Sequence, residues 1–276
     1  MSSNSIKVLN LNSTDWAKKI RHIILEQSKR AHVGHIGSAL SIADIIAVLY
    51  SHILNIPSPE DSERDRFVLS KGHAALALYA AFHLKGWLTQ EELNTYCADD
   101  SRLGVHPEYG LRGVDFATGS LGHGLSMAAG AALAAKLKKS SRCVYVLVSD
   151  AELNEGSFWE AVMFAAHHQL SNLVVVIDDN GQQALGFTRE VLDLTALPER
   201  FKAFGWQVQT IDGHNHSELE GALSGIDSLS GKPHMLIAKT TLGKGVSYME
   251  RTIKWHYWPM SDEEYSLALK EIGIEV

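Results

Sequence analysis

Two polar clusters in this 276-residue chain stand where α/β proteins place their chemistry. Asp150 follows the apolar run at 143–149, and Asp178, Asp179 and Asn180 follow the run at 173–177. The clusters are roughly thirty residues apart, the length of one strand–helix–strand unit. Neighbouring strands lie about 4.8 Å apart, so Asp150 and Asn180 would direct oxygens at one point. Two or three oxygen ligands of low total charge suit Mg²⁺, which keeps waters and binds phosphate oxygens. The start of the following helix, at Gly156, would favour an anion beside that point. An acidic residue after a strand also caps helices, and spacing alone leaves both readings open.

Gly119-Ser120-Leu121-Gly122-His123-Gly124 is a glycine-rich turn entering a helix, and its glycines permit close backbone approach to a ligand. Its order is not that of a dinucleotide fingerprint, and Lys244 in TLGKGVS stands in an incomplete phosphate loop. Among 14 histidines, His35, His73, His106 and His256 fall in predicted loops or helix starts. His32/His35 and His214/His216 have the spacing of metal pairs, although such pairs are more often satisfied by hydrogen bonds.

The elements that must position these groups follow from periodicity. Residues 15–30 read as an amphipathic helix with Trp16, Ile20, Ile23, Ile24 and Gln27 on one stripe. Residues 38–54 read as one apolar helix ended by Pro57 and Pro59, and 72–85 and 123–139 as buried helices. Strands are predicted at 66–70, 143–149, 173–177, 206–211 and 234–239, with helices at 156–169, near 188–204 and at 217–228. Capping boxes are expected at Thr89/Glu92, Ser217/Glu220 and Ser261/Glu264. Continuous apolar strands alternating with helices predict a doubly wound, mostly parallel α/β sheet covered on both faces. Residues 1–12 read as a polar tail and 13–276 as a single domain.

Composition excludes several classes. The formal charge is −7, with 25 Lys and Arg against 32 Asp and Glu, so no extended basic surface invites nucleic acid or an anionic membrane. The longest apolar run, 74–82, falls far short of the about 18–20 residues that span a bilayer. Two cysteines, Cys97 and Cys143, build no disulfide framework, and the N-terminus shows no signal-peptide core. A cytoplasmic protein is expected.

Several of these motifs, in order, resemble the transketolase family. GHIGSALSIADIIAVLY contains His35 at the family's substrate-side position. SKGHA contains His73, matching a histidine near the cofactor diphosphate, and GVHPE contains His106, another active-site histidine. GSLGHG, with Gly119, Ser120 and Leu121, matches the turn packed on the aminopyrimidine. SDAELNEGSFWEA with DDNGQQALGF resembles the thiamine diphosphate motif. The resemblance implies Asp150, Asn180 and the Gln182 carbonyl as Mg²⁺ ligands, with Ala151 and Glu152 beside the cofactor. It implies that Glu155 and Glu160 link paired active sites, and that His256 in KWHYWP lies near both diphosphate and substrate.

The chain ends after the diphosphate-binding region, so it resembles the N-terminal subunit of a split transketolase. The resemblance implies a separate C-terminal subunit carrying the pyrimidine-binding half and the activating glutamate, in a heterotetramer. The implied reaction moves a two-carbon ketol unit from a ketose or its phosphate to an aldose, with thiamine diphosphate as electron sink. His35, His106 and His256 would serve general acid–base steps at substrate hydroxyls.

Two departures stand out. The usual Gly-Asp-Gly is Ser149-Asp150-Ala151, where a left-handed alanine would cost roughly 1–2 kcal/mol. Tyr257 and Trp258 replace small residues, which points to a non-standard sugar. Competing readings are a decarboxylating subunit of a 2-oxo acid dehydrogenase and a non-catalytic interaction protein that keeps the fold.

Overall fold

The computed structural model describes residues 11–274, so most of the polar tail lies outside the described residues. Asn12 caps the first helix, its side chain accepting from Asp15 N–H at 2.8 Å. The helices are α1 (Ser13–Ala31), α2 (Ile36–Ser41), α3 (Ala43–Val48), α4 (Ala75–Leu84), α5 (Gln90–Leu93) and α6 (Gly124–Leu137). They continue as α7 (Gly156–His167), α8 (Thr188–Val191), α9 (Leu197–Ala203), α10 (His216–Ser224), α11 (Lys254–Tyr257) and α12 (Asp262–Glu271). The strands are β1 (Arg66–Leu69), β2 (Val144–Ser149), β3 (Leu173–Asp179), β4 (Gln182–Gln183), β5 (Gly186–Phe187), β6 (Gln207–Asp212) and β7 (His234–Lys239). Five of them form a sheet in the order β1-β2-β3-β7-β6, parallel throughout, while β4 and β5 make a small antiparallel hairpin.

Alternate residues of each central strand feed two separate cores. Tyr145, Leu147, Val174 and Val176 pack with α1 to α4 and α10; Val146, Val148, Val175 and Ile177 pack with α6, α7 and α9. A strand buried on both faces needs no polar alternation, which is why β2 and β3 read as unbroken apolar runs. The chain steps one way from β1 to β3 and backwards from β6 to β7. Right-handed crossovers then put α7 and α10 on opposite faces.

Three expectations change. The helix predicted over 38–54 breaks at Ile42 (φ −104°, ψ 4°) into α2 and α3, which runs on into a π-turn at Leu49–Ile53. The stretch near 188–204 is two short helices, α8 and α9. Ser217 and Glu220 do not form a capping box: Asn215 caps α10, accepting from Ser217 and Glu218 N–H, and Glu220 instead accepts from Ser13 Oγ at 2.7 Å. The other two boxes form, at Thr89 and Ser261. Among the described residues no helix is long and apolar enough to cross a membrane.

Candidate functional site

The register of the sheet builds the site. Ser149 is the Cα partner of Asp178, and Asp178 of Ala238, so the loops after β2, β3 and β7 leave the sheet side by side at its carboxyl edge. Ligands of open α/β sheets bind at that edge. Asp150 is fully buried there, and its Oδ2 accepts from Gly181 N–H at 3.1 Å and Thr188 Oγ at 2.6 Å. Asn180 sits beside it, its amide nitrogen donating to Asp178 Oδ2 at 2.9 Å and its oxygen accepting from Gln182 N–H at 2.9 Å. Burial, reinforced by Asp178 and Asp179, pushes the Asp150 carboxyl up to about 7. A buried carboxylate of this kind is short of positive charge.

Three imidazoles face this edge. The His35 ring centroid is 5.2 Å from His73 and 5.4 Å from His256, and His73 and His256 are 5.5 Å apart. His35 adopts a left-handed backbone (φ 60°), held by its N–H donating to His256 O at 3.2 Å. Such strain in a non-glycine residue gathers at functional sites. Burial, then His106 and Lys71, lowers the pKa of His35. Burial, then Lys71 and the other imidazoles, holds His73 well below its ordinary value. Burial, then His35 and Lys71, brings His256 to about 4. All three rings are neutral at pH 7, ready to accept protons or donate single hydrogen bonds.

His106 joins them through Gly119. Gly119 has φ 143°, and a Cβ there would stand 2.9 Å from the His106 ring, so only glycine fits. Between the histidines and the β2 and β3 loops lies a cavity of about 90 Å³. His73, His256, Leu121, Ala151, Asn180 and Gln182 are among its walls. Ser149 Oγ, Gln182 Oε1 and Gln183 Nε2, on residues that line it, are buried without a hydrogen-bond partner, as is Nδ1 of the neighbouring His35. Orphaned polar atoms at a cavity wall await a polar occupant.

Other site candidates lie elsewhere. Ser120 is exposed. Glu152 is fully buried behind the wall, its carboxylate accepting from Ser70 Oγ, from Gly122 N–H at 2.9 Å and from Ser149 N–H at 3.0 Å. That carboxylate braces the glycine turn against β1 and β2. Glu155 is exposed beside Gly122, and Glu160 is exposed on α7 in a separate groove with Ser126, Gly130 and Phe164. The structure does not bring either glutamate to the histidines. His214 and His216 bond Asp44 at 2.8 and 3.0 Å, and Arg21 grips the same carboxylate through two nitrogens. This pair is spent on structure. Ala151 lies in a 3-10 turn (Asp150–Asn154) outside the left-handed region, so the strain considered for it does not arise.

Sequence reasoning assigns Lys71 no role, and reads Tyr257, with Trp258, only as a large aromatic pointing to a non-standard sugar. Lys71 and Asp178 form an ion pair, 1 % and 0 % exposed, at 2.5 Å. Burial alone would raise the Asp178 carboxyl, but Lys71 and the surrounding donors hold it below its ordinary value. Tyr257 sets its ring 5.0 Å from His256 and donates its hydroxyl to Ala184 O at 3.1 Å. The lysine stands in the SKGHA segment, but its partner is 107 residues away.

Similarity to known proteins agrees with this geometry. The family described as "Transketolase, thiamine diphosphate binding domain" matches residues 12–276. The chain is 39% identical over 270 residues to a subunit of the apulose-4-phosphate transketolase of Phocaeicola vulgatus, covering 97% of this chain and 95% of that protein. It is 39% identical over 262 residues to the 6-deoxy-6-sulfo-D-fructose transketolase subunit SqwG of Clostridium sp. (strain MSTE9), covering 94% and 95%. The fold superposes on transketolase from Campylobacter jejuni with a TM-score of 0.89 at 33% identity, covering 98% of this chain and 43% of that one. Transketolase from Leishmania mexicana gives 0.89 at 30%, covering 96% and 42%. The chain thus spans about two fifths of the length of those transketolase chains and nearly all of the subunit relatives. With the parallel sheet, the histidine cluster and the acid–amide pair at one edge, these matches place the chain in the transketolase family of enzymes, as an N-terminal subunit built on the thiamine diphosphate-binding domain.

Proposed function

We propose that this chain is the diphosphate-binding half of a two-chain transketolase that uses thiamine diphosphate and Mg²⁺. The observation that carries this reading is the cavity between His73, His256 and the loops after β2 and β3, lined by residues with unsatisfied polar atoms. The donor set fits the cation: Asp150, the Asn180 amide oxygen and the Gln182 backbone carbonyl are hard oxygen donors of total charge −1. Gly119, Leu121, Ala151 and His73 would hold the diphosphate and the adjoining rings, with Ser120 on the exposed side of the same turn. When bound, the cofactor supplies the electron sink that no side chain provides.

The residues of this chain bind, orient and move protons. His35, His106 and His256 hydrogen-bond the hydroxyls of the sugar and take or return a proton as the carbon–carbon bond breaks and re-forms. Such steps are worth about 10²–10⁴-fold each. Glu155 and Glu160, away from the histidines, face the second copy in a heterotetramer. A separate C-terminal subunit contributes the pyrimidine-binding half and the activating glutamate. Two subunit relatives are named for a phosphorylated and a sulfonated ketose, which supports a donor with a terminal anion. The assembly works in the cytoplasm.

Purified chain and its partner, mixed with a ketose phosphate and an aldose, test this reading. Ketol transfer without carbon dioxide release is the expected result, with no turnover by either chain on its own. Carbon dioxide release from pyruvate would instead favour a decarboxylating subunit. Absence of thiamine diphosphate binding, with and without the partner, would favour a non-catalytic relative.

A further inference from the structure

The buried Lys71–Asp178 pair is not accounted for by stability. Taking two charges out of water costs about as much as their attraction returns, and apolar residues of similar volume are often as stable. What the pair does fix is geometry. Asp178 Oδ2 accepts from Lys71 Nζ at 2.5 Å, Ser41 Oγ at 2.7 Å and Asn180 Nδ2 at 2.9 Å, while Oδ1 accepts from Thr240 Oγ. Lys71 Nζ also donates to Ser38 O at 3.1 Å. One carboxylate thus joins α2, the turn after β1, the loop after β3 and the loop after β7.

The bond to Asn180 decides a chemical question. An ionised carboxylate only accepts, so it can hold the nitrogen end of an amide and never the oxygen end. With Nδ2 captured by Asp178, the Asn180 oxygen turns to the other side, where Gln182 N–H takes one of its two lone pairs. The second lone pair stays available for a cation. A flipped amide would present N–H groups to that cation and repel it. Asp178 itself, with four donors on two oxygens, is withheld from the cation, and Lys71 is one of those four.

We propose that Asp178, locked by Lys71, is a positioning residue that sets the Asn180 amide with its oxygen toward the divalent cation. The inference rests on the cation site of the proposed function and deepens it.

Two double variants test it. Lys71→Met/Asp178→Asn and Lys71→Met/Asp178→Leu both remove the buried charges, but only the first keeps an acceptor for Asn180 Nδ2. Mn²⁺ binding, read by electron paramagnetic resonance with thiamine diphosphate present, is expected to be about 10–100-fold weaker in the leucine variant than in the asparagine variant. Equal affinity in the two would overturn the proposal. Should the leucine variant not fold, the wild-type chain decides: the Asn180 side-chain amide protons are expected to exchange with solvent far more slowly than those of the exposed Asn215. Fast exchange would overturn the proposal as well. Failure of the wild-type chain to bind Mn²⁺ and thiamine diphosphate, with and without its partner subunit, would sink the proposed function, while the exchange measurement would still read the Asp178–Asn180 bond.

Discussion

The Asp150 carboxylate accepts a hydrogen bond from the backbone N–H of Gly181, 31 residues away and 3.1 Å distant. This bond carries the loop after β3 onto the end of β2 and puts Asn180 next to Asp150. It also fixes what a substitution does. Asp150→Asn keeps an acceptor for Gly181 and Thr188 but removes the charge. In the absence of ligand, the variant is expected to melt at or above the wild-type temperature, because an uncompensated buried carboxylate is costly. The rise in melting temperature expected of the wild type with Mg²⁺ and thiamine diphosphate should vanish. Thermal unfolding with and without both ligands measures the two effects, and an undiminished ligand shift would mean that the cation sits elsewhere.

Much of this arrangement is legible in the sequence because the central strands are covered on both faces. An unbroken run such as LVVVI has few alternatives, and polar residues at its end stand out. The break at Ile42 was not legible: every residue from Ile36 to Leu49 is buried, so no periodicity marks where one helix stops. The α10 cap was misplaced because Asn215 and Ser217 both carry start signals, and the choice depends on Glu220 being drawn to Ser13 at the other end of the chain. The Lys71–Asp178 pair and the Tyr257 tether to Ala184 were invisible for the same reason. Their partners are set by how the loops meet at the sheet edge, and single-sequence patterns hold no record of that.

The alanine after Asp150 makes a simple test of backbone strain. Ala151 is not left-handed, and its N–H donates to Asp150 Oδ1 at 2.9 Å within the 3-10 turn. Restoring glycine relieves nothing and adds freedom to the unfolded chain. Ala151→Gly is expected to lose about 0.5–1 kcal/mol of stability. Its affinity for thiamine diphosphate should stay close to that of the wild type. Urea unfolding and calorimetric titration read the two quantities, and a large gain in affinity would show that the methyl group obstructs the cavity.

The histidine cluster predicts acid sensitivity with a defined sign. His256 is brought to about 4, by burial and then by His35 and Lys71, from an ordinary value of 6.5. A depressed folded pKa means that the unfolded chain binds more protons between those values. The contribution of this neutral ring is therefore full above pH 6.5 and declines as the pH falls toward 4. Between pH 7.5 and 5 the wild type should lose roughly 1–2 kcal/mol more than His256→Asn, which cannot titrate. Urea midpoints of both proteins at the two pH values give the comparison. Parallel losses would mean that His256 is already charged or freely hydrated in the folded chain.

Tyr257 does two separable things at the mouth of the cavity. Its ring stands 5.0 Å from His256 and 6.3 Å from His35, where, on the proposed function, it would wall the approach of the sugar. Its hydroxyl donates to Ala184 O and ties α11 to the β4–β5 hairpin, whose Gln182 and Gln183 line the same cavity. Tyr257→Phe removes the tether and keeps the wall. Since one such hydrogen bond is worth about 0.5–1.5 kcal/mol, thiamine diphosphate should dissociate roughly two- to tenfold faster, with the order of preference among aldose acceptors unchanged. Tyr257→Gly removes both, so dissociation should quicken similarly and kcat/KM should shift toward bulkier acceptors. Stopped-flow fluorescence gives the first quantity, and competition between a two-carbon and a five-carbon aldose, with the partner subunit present, gives the second. If phenylalanine alone changed acceptor preference, the hydroxyl rather than the ring would be reading the substrate, and the wall would have to be placed elsewhere on the rim.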